Sequence, residues 1–237
     1  MKILKNSLLL VIIGLVTWMM YSLYTDFNSR TELNDTARYY AEQGPAETGA
    51  ANLVTAVVVT YRGLDTLGEV TILFLTAAII GLLLKTEKGR GTEFVRESSE
   101  FMVTAAKVLM PMIALIGVYI FINGHLTPGG GFQGGAILAS TFILLLISVT
   151  HSKTGHRLLE LTESLSGFTF VLIGILGVLL AAGFLDNKIL PVGTMGRLLS
   201  AGAIPIIYSL IGLKVGAELS TIILELNQIQ GKKDEQL

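Results

Sequence analysis

Three ionisable residues lie within or just after the last apolar stretch of the chain: Lys214, Glu218 and Glu225. At about 100° per residue, these positions fall within roughly 40° of one another around a helix. A charge at the middle of a bilayer is costly, so such groups face protein or water and pair with one another. The spacing predicts either a buried ion pair between Lys214 and Glu218 or a path for a cation, with Glu225 at the cytoplasmic surface.

A second group of carboxylates stands in the segment RGLDTLGE, residues 62–69. Gly63 permits a sharp turn, and Thr66 with Glu69 has the spacing of a capping box that starts a helix. Asp65 and Glu69 then lie at the positive end of the helix dipole, where anions are favoured. Glu69 fits an ion path equally well, because carboxylates at membrane depth are costly and usually functional. The residues leave both interpretations open.

Two further ionisable residues lie within or just after the third apolar stretch, 101–123. Lys107 lies about two turns into it from the predicted cytoplasmic side, where it either snorkels to the surface or faces the interior. His125 follows the same stretch and either titrates near neutral pH or anchors the helix end at the interface. Pro111 and Pro205 lie within the third and the last stretches and predict bends there.

The segment HLTPGGGFQGGAILA, residues 125–139, carries five glycines in seven positions. Pro128 is expected to end the preceding span, and the small residues after it allow another helix to pack closely. One interpretation is a tight outer turn followed by a helix-packing groove. The other is irregular backbone lining a wet cavity, since such backbone at membrane depth is either buried in protein or hydrated. The residues concerned are Gly129, Gly130, Gly131, Gln133, Gly134 and Gly135.

The elements that position these residues are transmembrane helices. Of 237 residues, 51% are hydrophobic and 15% are charged, whereas soluble domains carry about 25% charged residues. A helix needs about 20 apolar residues to cross a bilayer, and a short helix near 50–62 is expected to insert half way. The first stretch is read as a retained anchor rather than a signal peptide. The sequence predicts an all-α integral membrane protein with six spans, at about 6–25, 68–84, 101–123, 134–150, 164–185 and 198–224.

Several function classes are excluded or disfavoured by composition. A net charge of −1 gives no electrostatic case for nucleic-acid binding. The chain has no cysteine, so it supplies no disulfide, thiolate nucleophile or iron–sulfur ligand. Its three histidines show no metal-ligand spacing, and no catalytic triad or phosphate loop is evident. The chain is therefore not expected to be an enzyme by itself.

The distribution of basic residues predicts the orientation. With the amino terminus inside, ten of the 17 Lys and Arg residues fall in inner segments and five in outer segments. Lysine and arginine favour the cytoplasmic side of short loops. Both termini are therefore expected in the cytoplasm, at the cell membrane.

Two of these segments carry a family resemblance. NLVTAVVVTYRGLDTLGE, residues 52–69, resembles the carboxy-terminal region of the large A subunit of Mrp-type sodium/proton antiporters and the E subunit of archaeal membrane-bound hydrogenase. HLTPGGGFQGGAILA resembles the signature of the Mrp B subunit, the counterpart of the hydrogenase F subunit. The chain is thus similar to a fusion, with a two-span E-like segment at 1–95 and a four-span B-like domain at 96–237.

The resemblance implies a non-redox subunit of a multi-subunit complex in the membrane lipid. Its partners are then large antiporter-like subunits and small membrane subunits, and it helps to form a sodium path. No organic cofactor or resident metal is implied, and sodium binds at most transiently. One alternative is the same module within a ferredoxin-dependent membrane-bound hydrogenase or sulfane reductase, beside hydrogenase or iron–sulfur subunits. Another is a structural scaffold with no ion path.

Overall fold

A computed structural model describes residues 2–25, 32–86, 99–148 and 156–233. All regular elements in these ranges are helical. In chain order they are α1 (Lys2–Thr25), α2 (Asp35–Thr48), α3 (Leu53–Thr55), a π-helix (Ala56–Tyr61), α4 (Gly63–Thr86), α5 (Glu100–Ile122), α6 (Gly131–Ser148), α7 (His156–Leu180), a 3₁₀ turn (Asn187–Ile189) and α8 (Ile204–Lys233).

Six of these helices are long and apolar enough to cross a membrane: α1, α4, α5, α6, α7 and α8. The prediction of an all-α, multi-pass membrane protein with six spans is therefore confirmed. A short helix also forms in the region where a half-inserted one was expected, at Leu53–Tyr61. Its depth in the membrane stays a prediction.

The chain forms two compact units, residues 1–38 and 39–237. The first contains α1 and the opening turn of α2, where the Ala37 amide donates to Asn34 Oδ1 at 2.8 Å. The second contains the remaining elements. Within it α8 is central, because it packs against α4, α5, α6 and α7. More than half of the α8 span is buried, 56%, against 28% for α6 and for α7, and its Lys214 and Glu218 lie inside the protein.

Four spans begin three or more residues from their predicted starts; one of them, α6, begins at Gly131 rather than 134. The α4 helix begins at Gly63 rather than 68, and the α7 span covers Arg157–Leu180 rather than 164–185. The α8 helix begins at Ile204 rather than 198, because Ala201 and Gly202 have φ values of 64° and 59° that no right-handed helix allows. A hydropathy pattern detects neither a polar first turn of a helix nor a residue in the left-handed backbone conformation.

The prolines act differently from the prediction at two of three positions. Pro205 lies in the first turn of α8, where proline is tolerated, so it does not interrupt the last span. Pro128 does not end the third span, because α5 already ends at Ile122 and the Asn123 amide donates to Tyr119 O at 3.0 Å. Pro111 does lie inside α5, as expected.

The predicted capping box at Thr66 does not form. The chain is already helical from Gly63, so Thr66 has no free helix end to cap. Its hydroxyl instead donates to Val58 O in the π-helix at 2.6 Å. The Thr66 side chain thus ties the π-helix to the first turn of α4.

Candidate functional site

Lys214 and Glu218 form an ion pair on α8, with 2.7 Å between Lys214 Nζ and Glu218 Oε1. Both side chains are buried, with 8% of Lys214 and none of Glu218 exposed. Their spacing of four residues places them one above the other on the helix face that packs into the bundle. The predicted interior pair is confirmed.

Two neighbouring helices contact the Lys214 side chain. Its Nζ lies 4.8 Å from the centre of the Phe74 ring of α4, a distance at which a cation and a ring attract each other. On α7, a Cβ atom placed at Gly167 would lie 3.4 Å from the Lys214 Nζ. The glycine therefore lets the ammonium group pass close to α7. The second oxygen of Glu218, Oε2, has no hydrogen-bond partner among the described residues.

Two further glutamates lie on α7 and α8. Glu163 on α7 is half-buried, lies one turn before Gly167, and interacts electrostatically with Lys214. Glu225 on α8 is 5% exposed, and a Cβ placed at Gly81 of α4 would lie 2.8 Å from its Oε2. We call Lys214, Glu218, Glu163 and Glu225 the charge cluster. Two carboxylates, those of Glu218 and Glu163, interact with the one ammonium group of Lys214, which leaves acceptors for a cation or a proton.

The sequence pattern misplaces Glu225 and misses Glu163. Glu225 was expected at the cytoplasmic surface, which is wrong, because it is buried against the small Gly81. Glu163 was missed because the predicted span began at 164. The signal that could have found it is the four-residue spacing to Gly167, which continues the helix face that meets Lys214.

Four of the six predicted ion-path residues lie outside the charge cluster, and three of the four are exposed. Asp65 forms an exposed ion pair with Arg62, with 2.5 Å between Asp65 Oδ2 and Arg62 Nη2. Glu69 is exposed on α4, and Lys107 is exposed on α5. The structure therefore brings together only Lys214 and Glu218 of the six residues, and the roles of the others stay predictions.

His125 is completely buried in the loop after α5, so the prediction of an interface anchor is wrong. Its Nε2 lies 3.3 Å from Arg197 O, and its own carbonyl accepts the Asn52 amide at 3.0 Å. Burial lowers the pKa of His125, so the imidazole is neutral at pH 7. The residue joins three loops rather than facing water.

The glycine motif packs helices together. Added Cβ atoms would lie 2.6 Å from Ile211 Cβ at Gly131, 2.6 Å from Gly117 O at Gly134 and 2.7 Å from Gly212 O at Gly135. These approaches bring α5 and α8 against neighbouring sides of α6, since consecutive helical residues point about 100° apart, and they favour the packing-groove interpretation.

The remaining motif residues serve the turns. Gly129 has a φ of 153°, which favours glycine, and a Cβ placed at Gly130 would lie 2.9 Å from Gln133 Oε1. Gly63, in the other motif, packs against Leu185, 2.9 Å from an added Cβ.

Two family models match the chain. Residues 101–221 match a domain related to the MnhB subunit of Na⁺/H⁺ antiporters. Residues 1–95 match the family of the MBH E subunit. The first match covers half of the chain, and the resemblance carried by the two sequence motifs is confirmed.

Relatives and solved structures agree with these matches. An uncharacterized protein of Methanocaldococcus jannaschii is 30% identical over an alignment of 198 residues, and the match covers 72% of this chain and 74% of the relative. A chain of the archaeal membrane-bound sulfane sulfur reductase is 41% identical, with a TM-score of 0.79, over 94% of this chain and 98% of that one.

A chain of the Mrp complex from Dietzia sp. DQ12-45-1b has the same fold, with a TM-score of 0.75 at 23% identity. The likeness covers 94% of this chain and 26% of that one. The chain belongs to the family of domains related to the MnhB subunit of Na⁺/H⁺ antiporters, with a region at residues 1–95 that matches the MBH E subunit.

Proposed function

We propose that this chain is a non-redox membrane subunit of a multi-subunit Mrp-type Na⁺/H⁺ antiporter module and that it contributes to sodium translocation. The observation that carries the proposal is the buried Lys214–Glu218 pair on the central helix α8. The chain has no catalytic activity of its own and holds no organic cofactor. Sodium binds at most transiently.

The family match supports the antiporter module, since its model is named for a component of a Na⁺/H⁺ antiporter. Both solved structures that share the fold are of membrane complexes, which supports large antiporter-like subunits and small membrane subunits as partners. The excess of Lys and Arg in the predicted inner segments supports both termini in the cytoplasm and a place in the cell membrane.

The charge cluster suggests how a cation passes. Lys214 is paired with Glu218 and also interacts electrostatically with Glu163, on a different helix. A cation that reaches the unpartnered Oε2 of Glu218 weakens the electrostatic attraction between that carboxylate and Lys214. The ammonium group then moves toward Glu163, past Gly167, which leaves room for it. Lys214 is thus a positive gate whose position depends on cation occupancy.

A second candidate is the same module within a redox-driven complex. It is favoured by the 41% identity to a chain of the sulfane sulfur reductase complex, of which 98% is covered. Purification of the native complex separates the two. Copurifying hydrogenase or iron–sulfur subunits indicate the redox-driven complex, and antiporter subunits alone indicate the stand-alone antiporter.

The central experiment replaces Lys214 by methionine in the native complex. Lys214→Met removes the gate charge and retains the length of the side chain, so we expect Na⁺-dependent proton movement in membrane vesicles to fall by about tenfold or more. Glu218 can take up a proton once Lys214 is removed, so that no unpaired charge stays buried, and assembly, followed on native gels, should be retained. Lys107→Met is the matched control, because Lys107 is exposed on α5, and it should retain transport. If the Lys214→Met complex transports as well as the unsubstituted one, the proposed role of Lys214 is wrong and the chain is a structural scaffold.

A further inference from the structure

A polar cavity of about 260 Å³ lies apart from the charge cluster. It is formed by the end of α2, the π-helix and the loop after α7. Glu225, by contrast, lies against Gly81, near the other end of α4. The cavity therefore lies at the opposite end of the bundle, the outer end in the proposed orientation.

One carboxylate of the cavity, Glu47, is held in place by two tyrosines. Its Oε1 accepts the Tyr39 hydroxyl at 2.6 Å, and its Oε2 accepts the Tyr61 hydroxyl. The Tyr61 ring in turn stacks on Tyr40, with 4.7 Å between ring centres. The hydrogen bonds from Tyr39 and Tyr61 lower the pKa of Glu47, so this carboxylate is anionic at neutral pH. Burial raises the pKa of Tyr61, so its hydroxyl keeps its proton.

The second carboxylate, Asp186, is held by the backbone. Its Oδ1 accepts the Lys188 amide at 2.9 Å, and its Oδ2 accepts the Ala182 amide at 3.1 Å. Both acidic side chains of the cavity lining therefore have fixed positions before any ligand binds.

Two buried oxygens of the lining residues have no hydrogen-bond partner within the described part of the chain. Asn187 is completely buried, and its Nδ2 donates to Thr48 O at 2.8 Å and to Ala201 O at 3.0 Å. These two donor bonds fix the orientation of the amide, and its Oδ1 is left unpartnered. The hydroxyl of Thr60 is also buried without a partner. Buried polar atoms normally have one, so these oxygens point to a ligand.

The donor set decides the class of ligand. Carboxylate, amide and hydroxyl oxygens are the ligands of hard cations. Lys188, whose side chain is exposed, also lines the cavity. With Glu47 and Asp186 it brings the charge of the lining to −1, which suits a monovalent cation rather than a divalent one.

We propose that this cavity binds an alkali cation through Glu47, Asp186, Asn187 and Thr60. It is then an outer entry site for the path that contains the charge cluster, and in that respect it rests on the function proposed above. Binding is a property of the cavity, however, and can be measured without transport.

The test uses the absence of cysteine from this chain. Gly183 belongs to the cavity lining, and a Cβ added there meets no atom within 4 Å, so Gly183→Cys places a single thiol at the cavity without strain. The rate of maleimide labelling of this chain is measured in the purified complex, in NaCl and in choline chloride at equal concentration. We expect Na⁺ to slow labelling in a saturable manner.

Two further substitutions assign the effect to the proposed ligands. Glu47→Gln retains an oxygen for the tyrosines, and Thr60→Val keeps the side-chain shape. In the Gly183→Cys background each should raise the Na⁺ concentration needed for half protection by about tenfold. Glu42→Cys, an exposed position on α2, is the control and should label equally in both salts.

The outcomes separate this proposal from the function proposed above. Labelling of Gly183→Cys that does not respond to Na⁺ overturns the cavity proposal, as does equal protection with Glu47→Gln and Thr60→Val. Addition of Lys214→Met should leave protection unchanged, because that residue lies in the charge cluster. Protection in a complex that still transports with Lys214→Met supports the cavity and contradicts the role of Lys214.

Discussion

At the residue scale, charged residues of the same type differ in how far they are buried. Lys214 is enclosed by α4 and α7, whereas Lys107, also within a span, is exposed on α5. Asp65 has a partner in Arg62, but both side chains are more than half exposed, so solvent or lipid headgroups screen their attraction. Of these pairs, Lys214–Glu218 is the one that the protein itself takes out of water. It is therefore the pair whose loss has the largest cost.

Glu218→Ala should destabilise the protein strongly. The substitution leaves Lys214 buried without its partner, which costs about 3–5 kcal/mol in buried pairs. The double substitution Lys214→Met with Glu218→Met removes both charges and should restore much of this stability. Thermal unfolding of the purified protein measures both effects.

Asp65→Ala is the matched control, since it breaks an exposed pair worth about 1 kcal/mol or less. Equal melting temperatures for Glu218→Ala and Asp65→Ala would show that Lys214 is not held by Glu218.

At the element scale, the bundle is assembled through α6 and α8. Gly134 and Gly135 bring the backbones of α5 and α8 to contact distance on neighbouring sides of α6. Lipid tails are as apolar as the helices, so close packing rather than exclusion of water holds such helices together. The glycine motif thereby fixes α8, and with it the position of the charge cluster.

Gly135→Ala should destabilise the bundle by about 1–3 kcal/mol. The added methyl group would lie 2.7 Å from Gly212 O and 2.8 Å from Val215 Cβ, so α8 must move away. Thermal unfolding in detergent measures the loss.

Gly68→Ala on α4 is the matched control, because its added Cβ meets nothing within 4 Å, and a helical alanine is favoured over glycine by about 1 kcal/mol. If both alanine variants melt together, the glycines are not required for packing.

At the scale of the whole molecule, loop contacts join the two regions matched by different families. Asn52 lies in the first region, and its Nδ2 donates to Gly124 O at 2.9 Å and to Thr127 O at 3.0 Å in the second. The backbone N–H of Asn52 also donates to His125 O. The division of the chain at 95/96 stays a prediction, but these hydrogen bonds couple the regions on either side of it.

Asn52→Ala should weaken this coupling. If the chain is divided within residues 87–98 and the halves are produced together, we expect them to copurify. Two lost side-chain hydrogen bonds at about 1 kcal/mol each predict at least tenfold weaker association for Asn52→Ala.

Thr71→Ala is the control, because the Thr71 hydroxyl donates within α4, to Leu67 O. Halves that copurify equally with Asn52→Ala would show that other contacts carry the association.

Composition and periodicity determined the class of this protein and the location of its central pair. Long apolar stretches must become helices in a bilayer, since only internal hydrogen bonds satisfy the backbone there. Lys214 and Glu218 are four residues apart within such a helix, so their side chains must lie on the same face of it.

Other features depended on contacts between distant segments, which no local pattern encodes. Only the tertiary structure decided that Glu163 and Glu225 join the charge cluster, that His125 is buried, and that Thr66 bonds to the π-helix. The outer cavity was likewise invisible in the sequence, because its lining spans residues 47–188. Hydropathy measures how much a residue favours lipid, whereas burial depends on which helix lies beside it.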